Sequence, residues 1–136
     1  MAAPRFDLPT PDADTQPFWD GCRDGKLLVK QCGDCNAVHY YPRSFCPSCW
    51  SENVDWLEVS GTGTLYTYSV VRRNDLPPFN ERTPYVAAIV ELDEGPRIMT
   101  NIVDTDFDAL QIGMRVQAKF QAISDDVTIP VFAPAG

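Results

Sequence analysis

Cys32-Gly33-Asp34-Cys35-Asn36-Ala37-Val38-His39-Tyr40-Tyr41-Pro42-Arg43-Ser44-Phe45-Cys46-Pro47-Ser48-Cys49 decides how this chain folds. It holds two C-x2-C pairs separated by ten residues. Two residues between cysteines let both sulfurs of a knuckle face one ion, and two knuckles complete a tetrahedron of thiolates. That set suits Zn2+ and closes the site to water. Rubredoxin-like iron is the alternative, since the same thiolates hold either metal. A structural ion replaces a core that so short a segment cannot build, and zinc contributes roughly 10–16 kcal/mol to the folding of such modules. Cys32, Cys35, Cys46 and Cys49 are therefore the expected ligands of one structural ion. Thioredoxin-type redox chemistry needs a single C-x-x-C in a βαβ setting, which this pattern lacks.

Outward from the knuckles, residues 26–31 and 37–41 read as short strands, and residues 54–59 as a segment leading to the next module. Ser60-Gly61-Thr62-Gly63 marks the join. Upstream, residues 15–23 predict a helix capped by Asp14 or Thr15, with Phe18, Trp19 and Cys22 on one face and Gly25 ending it. Residues 1–13, rich in proline and acid, read as a loose arm. Downstream, five strand-like runs appear at 64–72, 85–92, 97–103, 115–123 and 127–132. In the fourth, Val116, Ala118, Phe120 and Ala122 alternate with Arg115, Gln117, Lys119 and Gln121. Pro130 in the fifth suggests a sheet edge or strand end. Residues 93–96 and 124–126 are hairpin turns. The insert 104–114 predicts one helical turn, capped by Asp106 and stopped at Gly113. Five short strands with an insert between the third and fourth is the order of an OB-fold barrel, and a small open β-sandwich is the alternative. The expected architecture is mainly β: an N-terminal arm and helix (1–25), a zinc ribbon (26–60) and a five-stranded OB-fold barrel (61–136).

Composition limits the function. The 136 residues are 44% hydrophobic and carry a net charge of −8, with acid spread over both halves. Nucleic-acid binders draw most of their affinity from Lys and Arg at phosphates, so this chain is expected to bind none. No apolar run is long enough for a membrane span. The first seven residues lack the basic-then-apolar order of a signal peptide, which points to the cytoplasm. An odd cysteine count, five, argues against a secreted disulfide framework.

Outside the knuckles no catalytic set stands out. Cys22 reads as a buried small hydrophobe, and His39, the only histidine, as a surface or packing residue; a Cys22–His39 dyad is the one nucleophile pair the chain offers. Glu91, Asp93 and Glu94 straddle a turn and read as solvated acids. Trp50, Trp56, Tyr40 and Tyr41 read as packing between modules. The segment 73–84 is long for a hairpin connection. Its three prolines stiffen it, holding Leu76 and Phe79 out as apolar anchors beside Arg72, Arg73 and Arg82. Those arginines suit the carboxylates of a partner or the phosphates of a cofactor, and loops at this position are where OB barrels bind.

The run Phe18-Trp19-Asp20-Gly21-Cys22-Arg23-Asp24-Gly25-Lys26-Leu27-Leu28, the two knuckles, Gly63-Thr64-Leu65-Tyr66-Thr67-Tyr68-Ser69-Val70-Val71 and Ile112-Gly113-Met114-Arg115-Val116 resemble the acyl-CoA-associated zinc-ribbon/OB-fold proteins, a former domain of unknown function. The resemblance spans residues 15–122. It implies N-terminal helices, a rubredoxin-like zinc ribbon and an OB-fold. It also implies an accessory subunit, not catalytic alone, that binds and stabilises a thiolase-superfamily enzyme acting on acyl-CoA. That enzyme would be a thiolase or a lipid-transfer-protein-like aldolase of steroid side-chain degradation, since the stretch from Arg72 to Phe79 is closest to the steroid-aldolase type. A MaoC-like hydratase is a further implied partner. Its segment is absent here, so the resemblance implies a separate subunit or one domain of a fusion. A CoA ester at a shared interface would meet Arg72, Arg73 and Arg82. A nucleic-acid-binding OB module is the alternative function.

Overall fold

The computed structural model describes Arg5 and residues 7–135. Helix α1, Gln16–Arg23, opens the fold. Thr15 stands at its N-cap, but its hydroxyl turns back to Asp12, whose carboxylate accepts the Thr15 amide at 3.0 Å; the first turn receives no side-chain cap. The C-terminus closes as a Schellman motif: the Lys26 amide reaches the Gly21 carbonyl at 2.7 Å, and Gly25, at φ +77°, donates to Cys22 O at 3.1 Å.

The ribbon sheet follows. Strand β1, Leu27–Cys32, pairs antiparallel along its whole length with β3, Val54–Val59, while β2 is only Val38–His39. The segment expected to lead to the next module is thus a full strand of the ribbon sheet. A closed barrel comes next, from β4 (Thr62–Val71), β5 (Tyr85–Leu92), β6 (Arg97–Ile102), β7 (Arg115–Ala122) and β8 (Thr128–Pro134). The order β4-β5-β6-β8-β7, with β7 returning to β4, is the OB-fold topology, which settles the choice against an open sandwich.

Several details position the surfaces. Gly63 lies so close to β5 that a Cβ there would sit 2.5 Å from Glu91 O. The β4–β5 register shifts between Leu65 and Thr67, leaving Tyr66 exposed on the bulge. The β6–β8 seam is the thinnest part of the barrel, a single parallel pairing of Ile102 with Phe132, and there the proline-bearing β8 is tolerated. Buried Thr100 stitches the seam by donating to Pro130 O at 3.1 Å. The insert holds one 3-10 turn, Phe107–Ala109, with Asp106 before it. Gly113 does not stop that turn: at φ +91° it bends the chain so that its amide meets Leu65 O at 2.8 Å and β7 can begin.

Helix, ribbon and barrel share one core. Phe18, Cys22, Leu27, Val29 and Val59 bury against Leu65, Val90, Val116 and Phe132. Tyr40 closes the junction edge-on to Phe18 at 5.8 Å. Residues 1–4 and Phe6 of the expected arm lie outside the described residues. The rest of the arm is not loose where it meets the barrel: Asp7 pairs with Arg82 at 2.8 Å, and Arg5 donates to Ile123 O at 2.9 Å. No helix among the described residues is long and apolar enough to cross a membrane.

Candidate metal centre and loop surfaces

The knuckles are built alike. In each, the residue after the second cysteine takes a left-handed conformation, Asn36 at φ 64° and Trp50 at φ 67°, and donates its amide to the carbonyl of the first cysteine, at 3.0 and 2.8 Å. The turn aims both sulfurs inward. Cys32 Sγ lies 3.6 Å from Cys49 Sγ, Cys35 Sγ 3.6 Å from Cys46 Sγ, and all four sulfurs fall within 4.8 Å of one another. A tetrahedron with Zn–S of about 2.3 Å has edges of about 3.8 Å, so the cage fits a zinc-sized ion.

The electrostatics ask for a cation. The Cys35 and Asp34 amides lower the Cys32 pKa. Burial opposes ionisation of Cys46, yet the Cys49 and Ser48 amides bring it to about 7. At Cys49 the Ser51 amide favours the thiolate, but the crowded sulfurs of Cys35, Cys32 and Cys46 push the thiol up to about 12. Four thiols this close cannot all ionise without a positive ion between them. The frame around them is also tied. Asp34 accepts from Ser51 Oγ and, at 3.3 Å, from Asn53 Nδ2, while the Gly33 amide meets Asn53 O at 2.8 Å. A Cβ at position 33 would come within 2.5 Å of Asn53 Nδ2, so a larger residue there would push the Asn53 side chain off Asp34.

The other expected residues have different fates. Cys22 is fully buried and its thiol is pushed up to about 12 by that burial, the reverse of what a nucleophile needs. Both His39 ring nitrogens are enclosed with no protein partner, and burial, then Lys30 and Arg43, lower its pKa below 6.5. Glu91 and Asp93 are not free acids: they pair with Arg97 at 3.1 Å and Arg115 at 2.7 Å, and Glu94 accepts the Ser60 amide at 3.0 Å. Trp50 is a correction. It does not pack between modules but stands 76% exposed on the second knuckle, stacked on Phe45 at 5.4 Å, because its left-handed backbone turns it outward.

The 73–84 loop folds on itself through the 3-10 turn Phe79–Glu81. Leu76 is exposed as expected, but Phe79 turns inward, beside Tyr85 and beneath Arg82, whose guanidinium lies 5.7 Å from the ring. The three arginines share no single site. Arg72 stands over Phe107 at 6.0 Å beside the 3-10 turn of the insert, Arg73 pairs with neighbouring Asp75 at 3.3 Å, and Arg82 lines a hollow on the barrel. That hollow, whose importance rests on contacts between distant segments, had no signal in the sequence.

Two family models match in tandem. One described as the ChsH2 rubredoxin-like zinc ribbon domain covers residues 19–55, and one described as the ChsH2 C-terminal OB-fold domain covers residues 56–121. A DUF35 domain-containing scaffold protein of Methanocaldococcus jannaschii is 40% identical over 103 residues, 74% of this chain and 71% of that protein. A probable enoyl-CoA hydratase alpha subunit of Thermomonospora curvata is 37% identical over 119 residues, 87% of this chain; the chain spans only 37% of that relative's length. Among solved structures, a chain of the Ltp2-ChsH2(DUF35) aldolase superposes with a TM-score of 0.83 at 34% identity, covering 95% of this chain and 100% of that one.

Proposed function

The chain belongs to the ChsH2 zinc-ribbon/OB-fold family of DUF35 proteins, and from that premise we propose that it is the accessory subunit of a thiolase-fold enzyme acting on an acyl-CoA. The observation that carries this reading is the match to a chain of the Ltp2-ChsH2(DUF35) aldolase over 95% of the present chain. The residues favour a supporting role. The sulfurs of Cys32, Cys35, Cys46 and Cys49 converge on one point, where they would hold a structural zinc. The fifth cysteine is buried, and the acids beside the β5–β6 turn are paired. Bound there, zinc would hold the two knuckles together; the bonds from Asp34 to Ser51 and Asn53 orient them.

The finer assignment is a lipid-transfer-protein-like aldolase of steroid side-chain degradation, with a hydratase as second partner and the cytoplasm as the compartment. A CoA ester would lie at the shared interface, its phosphates facing Arg72 and Arg73, while Arg82 stands apart, held by Asp7. Guanidinium suits such phosphates because its planar donors match their oxygens. Co-expression with a thiolase-like enzyme from the same host tests the reading. One complex is expected on a sizing column, with enzyme activity dependent on this chain. Separate elution of two stable proteins, with activity in the enzyme alone, overturns it. Charge reversal at Arg72 and Arg73 raises the KM for the CoA ester only if they reach its phosphates.

A further inference from the structure

The hollow on the barrel, about 420 Å3, lies where OB barrels place ligands. Tyr85 of β5 and Asn101 of β6 form one wall, Phe79 and Arg82 of the loop between the first two barrel strands form its lip, and Ile123 and Ile129 close the side near the last turn. Its size is that of a small-molecule site. Arg82 is the single charged residue among those that line it.

Arg82 already holds a carboxylate. Its Nη2 donates to Asp7 Oδ2 at 2.8 Å, while Arg5 grips the same carboxylate at 2.8 and 3.1 Å and donates to Ile123 O at 2.9 Å. The arm therefore bridges two lining residues of the hollow, Arg82 and Ile123. The Asp7 side chain is only 4% exposed although it carries charge. Arg5 first, then Arg82, hold its pKa at about 2 against the opposing effect of burial, so it is an anion at neutral pH. In an exchange of one carboxylate for another at Arg82, the ligand's carboxylate takes the place of Asp7 there, while Asp7 keeps Arg5 as its cation. A ligand that also fills the apolar space beside Phe79, Ile123 and Ile129 gains burial that Asp7 does not.

We propose that this hollow binds a small apolar-bodied carboxylate, anchored by Arg82, and that Asp7 is the built-in carboxylate it displaces. The site goes beyond the partner role and stands whether or not the chain joins a thiolase-fold enzyme.

The test uses octanoate as probe and octanamide as its neutral counterpart, titrated into the full zinc-loaded chain. Binding is read by calorimetry and by the methyl NMR signals of Ile102, Ile123 and Ile129. Octanoate is expected to shift these methyls and to bind at least tenfold more tightly than octanamide. Asp7→Asn removes the competitor, so octanoate tightens several-fold while octanamide does not change. Arg5→Gln weakens the hold on Asp7 and moves octanoate in the same direction, which guards against misfolding of one variant. Arg82→Gln brings octanoate down to the level of octanamide. Equal affinities for the two probes in wild type and variants, or methyl shifts confined elsewhere, overturn the proposal. So does weaker octanoate binding in both arm variants, because the arm would then build the site and not compete for it.

Discussion

At the scale of single residues, the metal centre makes the sharpest predictions. One zinc per chain is expected by elemental analysis. Serine at Cys32, Cys35, Cys46 or Cys49 should remove it and unfold the ribbon, because the tetrahedron is then incomplete. Cys22→Ser should keep the zinc but lose about 1–3 kcal/mol of stability, since a hydroxyl would be buried where a thiol packs. Loss of zinc from that variant would refute the ligand assignment. His39 gives a pH dependence. Its folded pKa is lowered below 6.5, so below pH 6.5 the unfolded chain binds more protons than the folded one. Stability should therefore be full above that value and fall as pH drops toward the folded pKa. NMR titration should place the His39 midpoint below 6.5, and His39→Phe should flatten the decline; a midpoint above 6.5 contradicts it. The convergence of the four cysteines was legible because their spacing is local. The enclosure of His39 was not, because it depends on the pairing that sets His39 opposite Lys30 on β1.

At the scale of elements, two glycines serve different needs. Gly25 sits at φ +77° in the cap of α1 with no atom near its missing Cβ, so Gly25→Ala should cost about 1–2 kcal/mol from backbone strain alone. Gly63 meets the β5 backbone, and Gly63→Ala should cost about 1–3 kcal/mol by forcing β4 and β5 apart. Chemical denaturation of each variant measures both, and an unchanged midpoint for Gly63→Ala would mean the strands yield freely. The cap was readable because a glycine after a helical pattern has a local cause. The close approach at Gly63 was not, because its neighbour lies on another strand. For the same reason β3 read as a connector: its hydrophobic pattern marks it as strand-like, but its pairing with β1 joins segments more than twenty residues apart.

At the scale of the whole molecule, the shared core couples the barrel to the ribbon. Phe18, Leu27, Val29 and Val59 reach from helix and ribbon into the cluster that holds Leu65 and Phe132. Stripping zinc with a chelator should therefore lower the melting temperature of the barrel as well as unfold the ribbon. A barrel that melts unchanged without metal would show the two parts to be uncoupled. Phe18→Ala should cost about 3–5 kcal/mol, because this fully buried ring contacts Trp19, Tyr40 and Tyr41 at the junction.

Local chemistry reaches a long way in this chain. Cysteine spacing, glycine and proline punctuation, and the period-2 pattern of β7 carry the ribbon, the helix end and the five barrel strands, because each depends on residues close together along the chain. The formal charge of −8 belongs to the sequence in the same way, being a count of side chains. Tertiary structure alone decided what distant residues do to one another. It closed the barrel, turned Phe79 inward and Trp50 outward, and separated three arginines that lie within eleven residues of sequence. It also laid Asp7 on Arg82 across 75 positions, since a buried carboxylate finds its cation wherever the fold brings one within reach.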